Sequence, residues 1–228
     1  MQAEVLNNHD IKVLITGASR GIGLSIATLF KEYGYSVITP TRSELDLSDV
    51  GSVRNYVSLH TNDISILINN AGINPLQGIL DITYEDYMEV FQTNLFSVLE
   101  LIKWCVPFWQ KKLNGHVINI SSIWGSISKP KRLLYGATKS ALNNITKNLA
   151  LELGEYNVLV NAIAPGFINT ELTRLNNSFA ELEKIKQQIP LKRLAEPLEV
   201  AKLAFFLGTQ NSFITGQTIH IDGGYICQ

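Results

Sequence analysis

The sequence predicts a single α/β domain built on a doubly wound parallel sheet of 6–7 strands. Three observations predict it. Short, mostly β-branched apolar runs alternate with longer amphipathic segments, the pattern of repeated strand–helix–strand units. The first run ends in a glycine-rich turn that opens the first amphipathic segment. The 228 residues contain no repeat, low-complexity tract or Pro/Gly/Ser linker that would divide them.

The apolar runs are Lys12–Thr16, Ser36–Thr41, Ile64–Asn69, His116–Ile120, Val158–Ala164 and Thr218–Ile221. Most are nearly continuous, as expected of strands buried on both faces. The helices between them are expected at about 21–34, 49–60, 84–112, 135–155, 178–188 and 197–208. One interval is too short. Only Arg42 and Ser43 separate Thr41 from the next apolar stretch, Glu44–Leu47. A parallel crossover needs about a dozen residues, so the strand near 44–47 is expected to be short or missing, its preceding helix lost.

Composition excludes several classes. Lys+Arg is 19 and Asp+Glu is 20, a net charge of -1, without the clustered basic excess of a nucleic-acid binder. No apolar run approaches the ~18 residues of a membrane span, and the opening MQAEVLNNHDIK carries no apolar signal core. Cys105 and Cys227 form no C-x-x-C pair, which fits a reducing, cytoplasmic setting. His9, His60, His116 and His220 have no ligand spacing, so no metal site is expected. A serine hydrolase would need a G-x-S-x-G elbow, and there is none.

The glycine turn runs Thr16-Gly17-Ala18-Ser19-Arg20-Gly21-Ile22-Gly23, a G-x-x-x-G-x-G spacing. Glycines let the backbone turn tightly and let a pyrophosphate approach the N–H groups of a helix N-terminus. Asn69-Asn70-Ala71-Gly72 ends the third long strand, where ligands of open α/β sheets sit. Ser121-Ser122 ends the strand that follows. Tyr135 and Lys139 are an i,i+4 pair that shares one helix face. That set suits carbonyl reduction: Tyr135 exchanges a proton with the substrate oxygen, and Ser122 hydrogen-bonds it. Working near neutral pH asks for a lowered phenol, which the Lys139 ammonium is expected to supply.

Taken together, TGASRGIG, NNAG, Ser122 thirteen residues before Tyr135, the Tyr-x-x-x-Lys pair and Pro165-Gly166 resemble the short-chain dehydrogenase/reductase family, from about Lys12 to Gly224. The resemblance implies a Rossmann-like fold. It divides the single domain, 1–228, into a cofactor half at about 11–115 and a catalytic and substrate half at about 116–228. It places a proton-relay asparagine at Asn94, in QTNLFSV, and nicotinamide contacts at Ile168 and Thr170. The tail, PLKRLAEPLEVAKLAFFLGTQNSFITGQTIHIDGG, is close to the 3-oxoacyl-acyl-carrier-protein reductase branch. The shortened Arg42–Leu47 stretch departs from that branch and is closer to some nucleotide-sugar reductases.

The implied catalytic set is Asn94, Ser122, Tyr135 and Lys139. The implied cofactor set is Gly17, Ser19, Arg20, Gly21, Ile22, Gly23, Arg42, Asp46, Leu47, Asn70, Ala71, Gly72, Tyr135, Lys139, Pro165, Gly166, Ile168 and Thr170. Arg42 just past the second strand, with Arg20, suits the 2′-phosphate of NADP(H); Glu44 would instead hold the ribose of NAD(H). NADP(H) is the expected cofactor and NAD(H) the alternative. The expected reaction is ketone reduction or its reverse, on a 3-oxoacyl thioester or on a sugar or polyol. Acyl carrier protein is a candidate partner through Lys111, Lys112 and Arg174. No nucleic acid or membrane is expected. A cofactor-binding regulator is the reading from another class, and the complete catalytic set argues against it. The 84–112 helix carries Phe91, Leu95, Val98, Leu99, Ile102, Trp104, Val106 and Phe108, more than one buried stripe uses, so a homodimer or homotetramer is expected.

Overall fold

The computed structural model describes residues 8–227. Six strands form one parallel sheet: β1 (Lys12–Ile15), β2 (Ser36–Ile38), β3 (Ile66–Asn69), β4 (Gly115–Ile120), β5 (Val158–Pro165) and β6 (Thr218–Ile221). Their spatial order is β2-β1-β3-β4-β5-β6. The helices are α1 (Gly21–Glu32), α2 (Val50–Leu59), α3 (Tyr84–Phe91), α4 (Ser97–Lys112), α5 (Leu133–Leu153), α6 (Glu171–Leu175), α7 (Phe179–Gln188) and α8 (Pro197–Thr209). Among the described residues, no helix is long and apolar enough to cross a membrane.

Strand alternation sorts the core into two layers. Leu14, Leu67, Val117 and Val160 pack with Val53 and Tyr56 of α2, Leu101 and Trp109 of α4 and Leu142 of α5. Val13, Ile15, Ile66, Ile68, Ile118 and Ile163 pack on the opposite face with Ile26 and Phe30 of α1 and Val200 and Ala204 of α8. Trp109 is fully buried, and its indole N–H donates to the Ile64 carbonyl at 2.7 Å, so the ring's polar atom is satisfied. Side chains cap several helices: Thr83 and Asp86 box α3, Ser178 and Glu181 box α7, and Asp49 accepts from Gly51 at the start of α2.

Three features differ from expectation, and the missing strand near 44–47 agrees with it. β2 stops at Ile38, because Pro40 has no N–H to extend the ladder. Residues 44–47 form no strand; Leu45 and Leu47 are core plugs beside Leu14 and Leu67. The helix expected over 84–112 is interrupted by a π-helical turn, Gln92–Phe96, whose residues Gln92, Thr93, Asn94 and Leu95 are buried. The stretch after β5 adds the short α6, which apolar periodicity does not mark.

Candidate active site

The strand order reverses between β1 and β3, so the chain leaves these neighbours in opposite directions and a crevice opens at their carboxyl ends. A cleft of about 710 Å³ occupies it. The cleft runs from Arg42 and Asp46 past the glycine turn to Ser122 and Tyr135. Every expected cofactor residue lines it, as do Ser122, Tyr135 and Lys139. Asn94 does not.

The glycine turn is shaped by what lies across from it. Gly17 has φ +65, and a Cβ there would meet Ala71 Cα at 2.8 Å. Gly23 packs against Gly17 and Asn70, leaving no room for a side chain. Thr16 Oγ1 accepts from the Asn70 and Ala71 amides at 3.1 Å, and Asn70 Nδ2 donates to the Thr16 and Gly17 carbonyls at 2.9 Å. Asn70 therefore clasps the two strand ends together. α1 begins at Gly21 without a side-chain cap, so its first-turn N–H groups remain available to an anion. A cradle too tight for any Cβ, an uncapped helix start and a cleft leading to a phenol together fit a dinucleotide.

Buried amides position the catalytic end. Asn69 donates to Asn119 at 2.9 Å and Asn119 to Thr146 at 3.0 Å, tying β3 to β4 and α5. Ser121 turns to Asn143 on α5 at 2.5 Å. Ser122 accepts from the Trp124 amide at 3.2 Å and hydrogen-bonds Tyr135. Lys139 is buried; its Nζ donates to the Ile120 carbonyl at 2.7 Å and stands 5.5 Å from the Tyr135 ring centre. Burial pushes this ammonium down to about 8. Burial pushes the Tyr135 phenol up, while Ser122 and the charge of Arg132 pull it down. The expected lowering by Lys139 is thus corrected. The ammonium is committed to a carbonyl beside the ring, and burial dominates.

Asn94 is fully buried behind the cleft wall. Its Oδ1 accepts from the Ile73 amide at 2.9 Å, and its Nδ2 donates to the Ile73 carbonyl at 2.9 Å and to Thr138 at 3.2 Å. Its side chain holds the NNAG turn against α5.

At the other end, Arg42 pairs with Asp46 at 3.0 Å and is mostly exposed. Asp46 also accepts from Ser48 at 2.6 Å, and these bonds hold its carboxyl below the usual range. Glu44 is folded back on Thr41, accepting from its amide at 2.7 Å and its hydroxyl at 2.8 Å. Arg20 reaches across the cleft to Glu171 on α6 at 3.0 Å. Both partners are 63% exposed, so the pair adds at most about 1 kcal/mol and breaks readily. Pro165, Gly166, Ile168 and Thr170 form the wall beyond β5, and Thr170 methyl carbon lies 3.4 Å from where a Gly21 Cβ would stand.

Sequence reading missed Thr16, Trp124, Asn143 and Arg132. Thr16 is detectable as a hydroxyl closing β1 before a glycine turn. The others depend on tertiary contacts. The histidines sit apart: His116 on Leu207, His220 on Ser126, and His60 stacked on Tyr56.

The family description "Enoyl-(Acyl carrier protein) reductase" matches residues 43–226. The chain belongs to the short-chain dehydrogenase/reductase family, whose members are NAD(P)-dependent oxidoreductases. It is 36% identical to the 3-oxoacyl-[acyl-carrier-protein] reductase of Chlamydia trachomatis, over 92% of this chain and 95% of that one. Among solved structures it is similar to 4-hydroxyisoleucine dehydrogenase complexed with NADH, at 30% identity and a TM-score of 0.88, covering 96% of this chain and 99% of that one. ElxO with NADP bound is 31% identical, with a TM-score of 0.87 and coverage of 96% and 99%.

Proposed function

We propose that this family member reduces a ketone to a secondary alcohol with NADPH, or runs the reverse. The observation that carries this is the placing of Ser122, Tyr135 and Lys139 at the end of the same cleft that the glycine turn opens. When bound, the dinucleotide supplies a hydride to the carbonyl carbon from its nicotinamide ring. Tyr135 gives the proton that converts the carbonyl oxygen to a hydroxyl, and its raised pKa keeps it protonated for that purpose. Ser122 donates to the same oxygen as charge develops there. Lys139 holds positive charge beside the phenol and, lining the cleft, would hold the ribose hydroxyls of the bound dinucleotide. Asn94 acts as a positioning residue for the NNAG turn.

NADP(H) is supported over NAD(H) by the folded-back Glu44, whose carboxylate is committed to Thr41, and by Arg42 on the cleft wall. The relatives named for 3-oxoacyl-[acyl-carrier-protein] reduction support a 3-oxoacyl thioester as substrate, with Lys111, Lys112 and Arg174 as the cations for a carrier protein. A second reading, a polar hydroxylated or acidic substrate, is favoured by the lining itself. Asn74, Thr93, Thr173, Asn176 and Asn177 all line the cleft.

Tyr135→Phe tests the chemistry. Turnover of NADPH with a ketone panel should fall at least about 100-fold, with NADPH affinity unchanged by fluorescence titration. Near-wild-type turnover would refute the role of Tyr135.

A further inference from the structure

Arg132 is the odd residue of the cleft. It stands immediately before α5, three residues ahead of Tyr135, and lines the cleft. It caps nothing with its side chain. Its guanidinium lies 5.8 Å from the centre of the Trp124 ring, within cation–π range. One guanidinium nitrogen, Nη1, is buried without a hydrogen-bond partner. No ion pair among the described residues includes it, although Glu89 also lines the cleft. Tyr135 is the ionisable neighbour whose field reaches it. A partly desolvated cation with an orphan donor is costly unless something supplies the counter-charge.

Its surroundings add to the field. Lys129 stands 6.0 Å from the same Trp124 ring, and Lys131 is next in sequence. Glu181 on α7 is the carboxylate that feels Lys129. Two cations, Lys129 and Arg132, thus flank Trp124, and the Arg132 guanidinium is a planar fork of donors on the cleft wall that also carries Tyr135. That arrangement matches an oxyanion with two or three equivalent oxygens.

We propose that Arg132 anchors an oxyanion group of the substrate, a carboxylate or a phosphate, and so selects acidic ketones or alcohols over neutral ones. This rests on the ketone-reduction reading and chooses its polar branch over a plain acyl thioester.

The test has two arms. In the first, the NADP⁺ complex is titrated with succinate and with inorganic phosphate, followed by calorimetry. At least one should bind, and Arg132→Met should weaken it about 10- to 100-fold, the range expected for a charge-assisted fork, with NADP⁺ affinity unchanged. Phosphate binding alone would assign a phosphorylated substrate, and succinate alone a carboxylic acid. In the second arm, kcat/KM is compared for a small 3-oxo acid and its methyl ester. Wild type should prefer the acid, Arg132→Met should equalise the two through KM, and Arg132→Lys should restore part of the preference. Ester turnover in the variant shows that it is folded. An acid-to-ester ratio untouched by the substitution, or absence of anion binding to wild type, would overturn the anchor and leave the reductase reading standing. Arg132-dependent anion binding with no ketone turned over would do the opposite.

Discussion

Lys139 carries the most constrained charge in the site. It is 3% exposed, bonded to the Ile120 carbonyl and close to the ring it serves. With its pKa pushed down to about 8, it is charged below that pH and neutral above it. Tyr135 is pushed up, so it stays protonated through the same interval. Reduction should therefore lose rate as pH rises through about 8, because Lys139 sheds its proton there while the proton donor remains intact. A pH profile of kcat at saturating NADPH checks this; Lys139→Met should abolish the limb at about 8, and a profile flat to pH 10 would count against it. The spacing of Ser122, Tyr135 and Lys139 is legible in the sequence because a strand end and one helical turn fix it. The use of the Asn94 side chain is not, since it depends on a π turn that apolar periodicity does not register. Arg132 is equally silent in the sequence, because its meaning comes from Trp124 and from its having no ion pair among the described residues.

At the scale of elements, the proposed preference for NADP(H) rests on the turn after β2. The sequence shows that 42–47 is too short for a crossover, and the fold obeys by ending the sheet at β2. It does not show that β2 stops at Ile38, three residues short of Thr41, or that Glu44 folds onto Thr41. In the resulting turn Arg42 and Asp46 hold each other on the cleft wall. Arg42→Ala removes the cation that would face a 2′-phosphate. It also strips Asp46 of its cation, leaving a carboxylate, still bonded to Ser48, that repels that phosphate. The NADPH-to-NADH ratio of kcat/KM should fall at least about 10-fold, with NADH values little changed. A wild-type preference for NADH, or a ratio unmoved by the substitution, would remove Arg42 from the cofactor site.

At the scale of the molecule, the apolar residues of α4 and the turn before it divide into two sets. Val98, Leu101, Ile102, Cys105 and Trp109 are buried in this chain's own core. Phe96, Leu99 and Val106, spaced along a second stripe with Lys103, are exposed or half-buried, and α5 adds Leu151 at 83% exposure. A helix that packs one stripe inward and keeps a second apolar stripe outward is suited to a partner. A two-fold contact would present the same stripe twice, so one substitution changes the interface at two places. The net charge of -1 offers little repulsion between copies. Sedimentation equilibrium at micromolar concentration should therefore give two or four times the 25.4 kDa chain mass. Leu99→Glu, which puts two like charges face to face across such an axis, should shift the population toward the 25.4 kDa species while far-UV circular dichroism stays unchanged. A wild-type protein that sediments only as 25.4 kDa would show that the outer stripe of α4 is surface and nothing more.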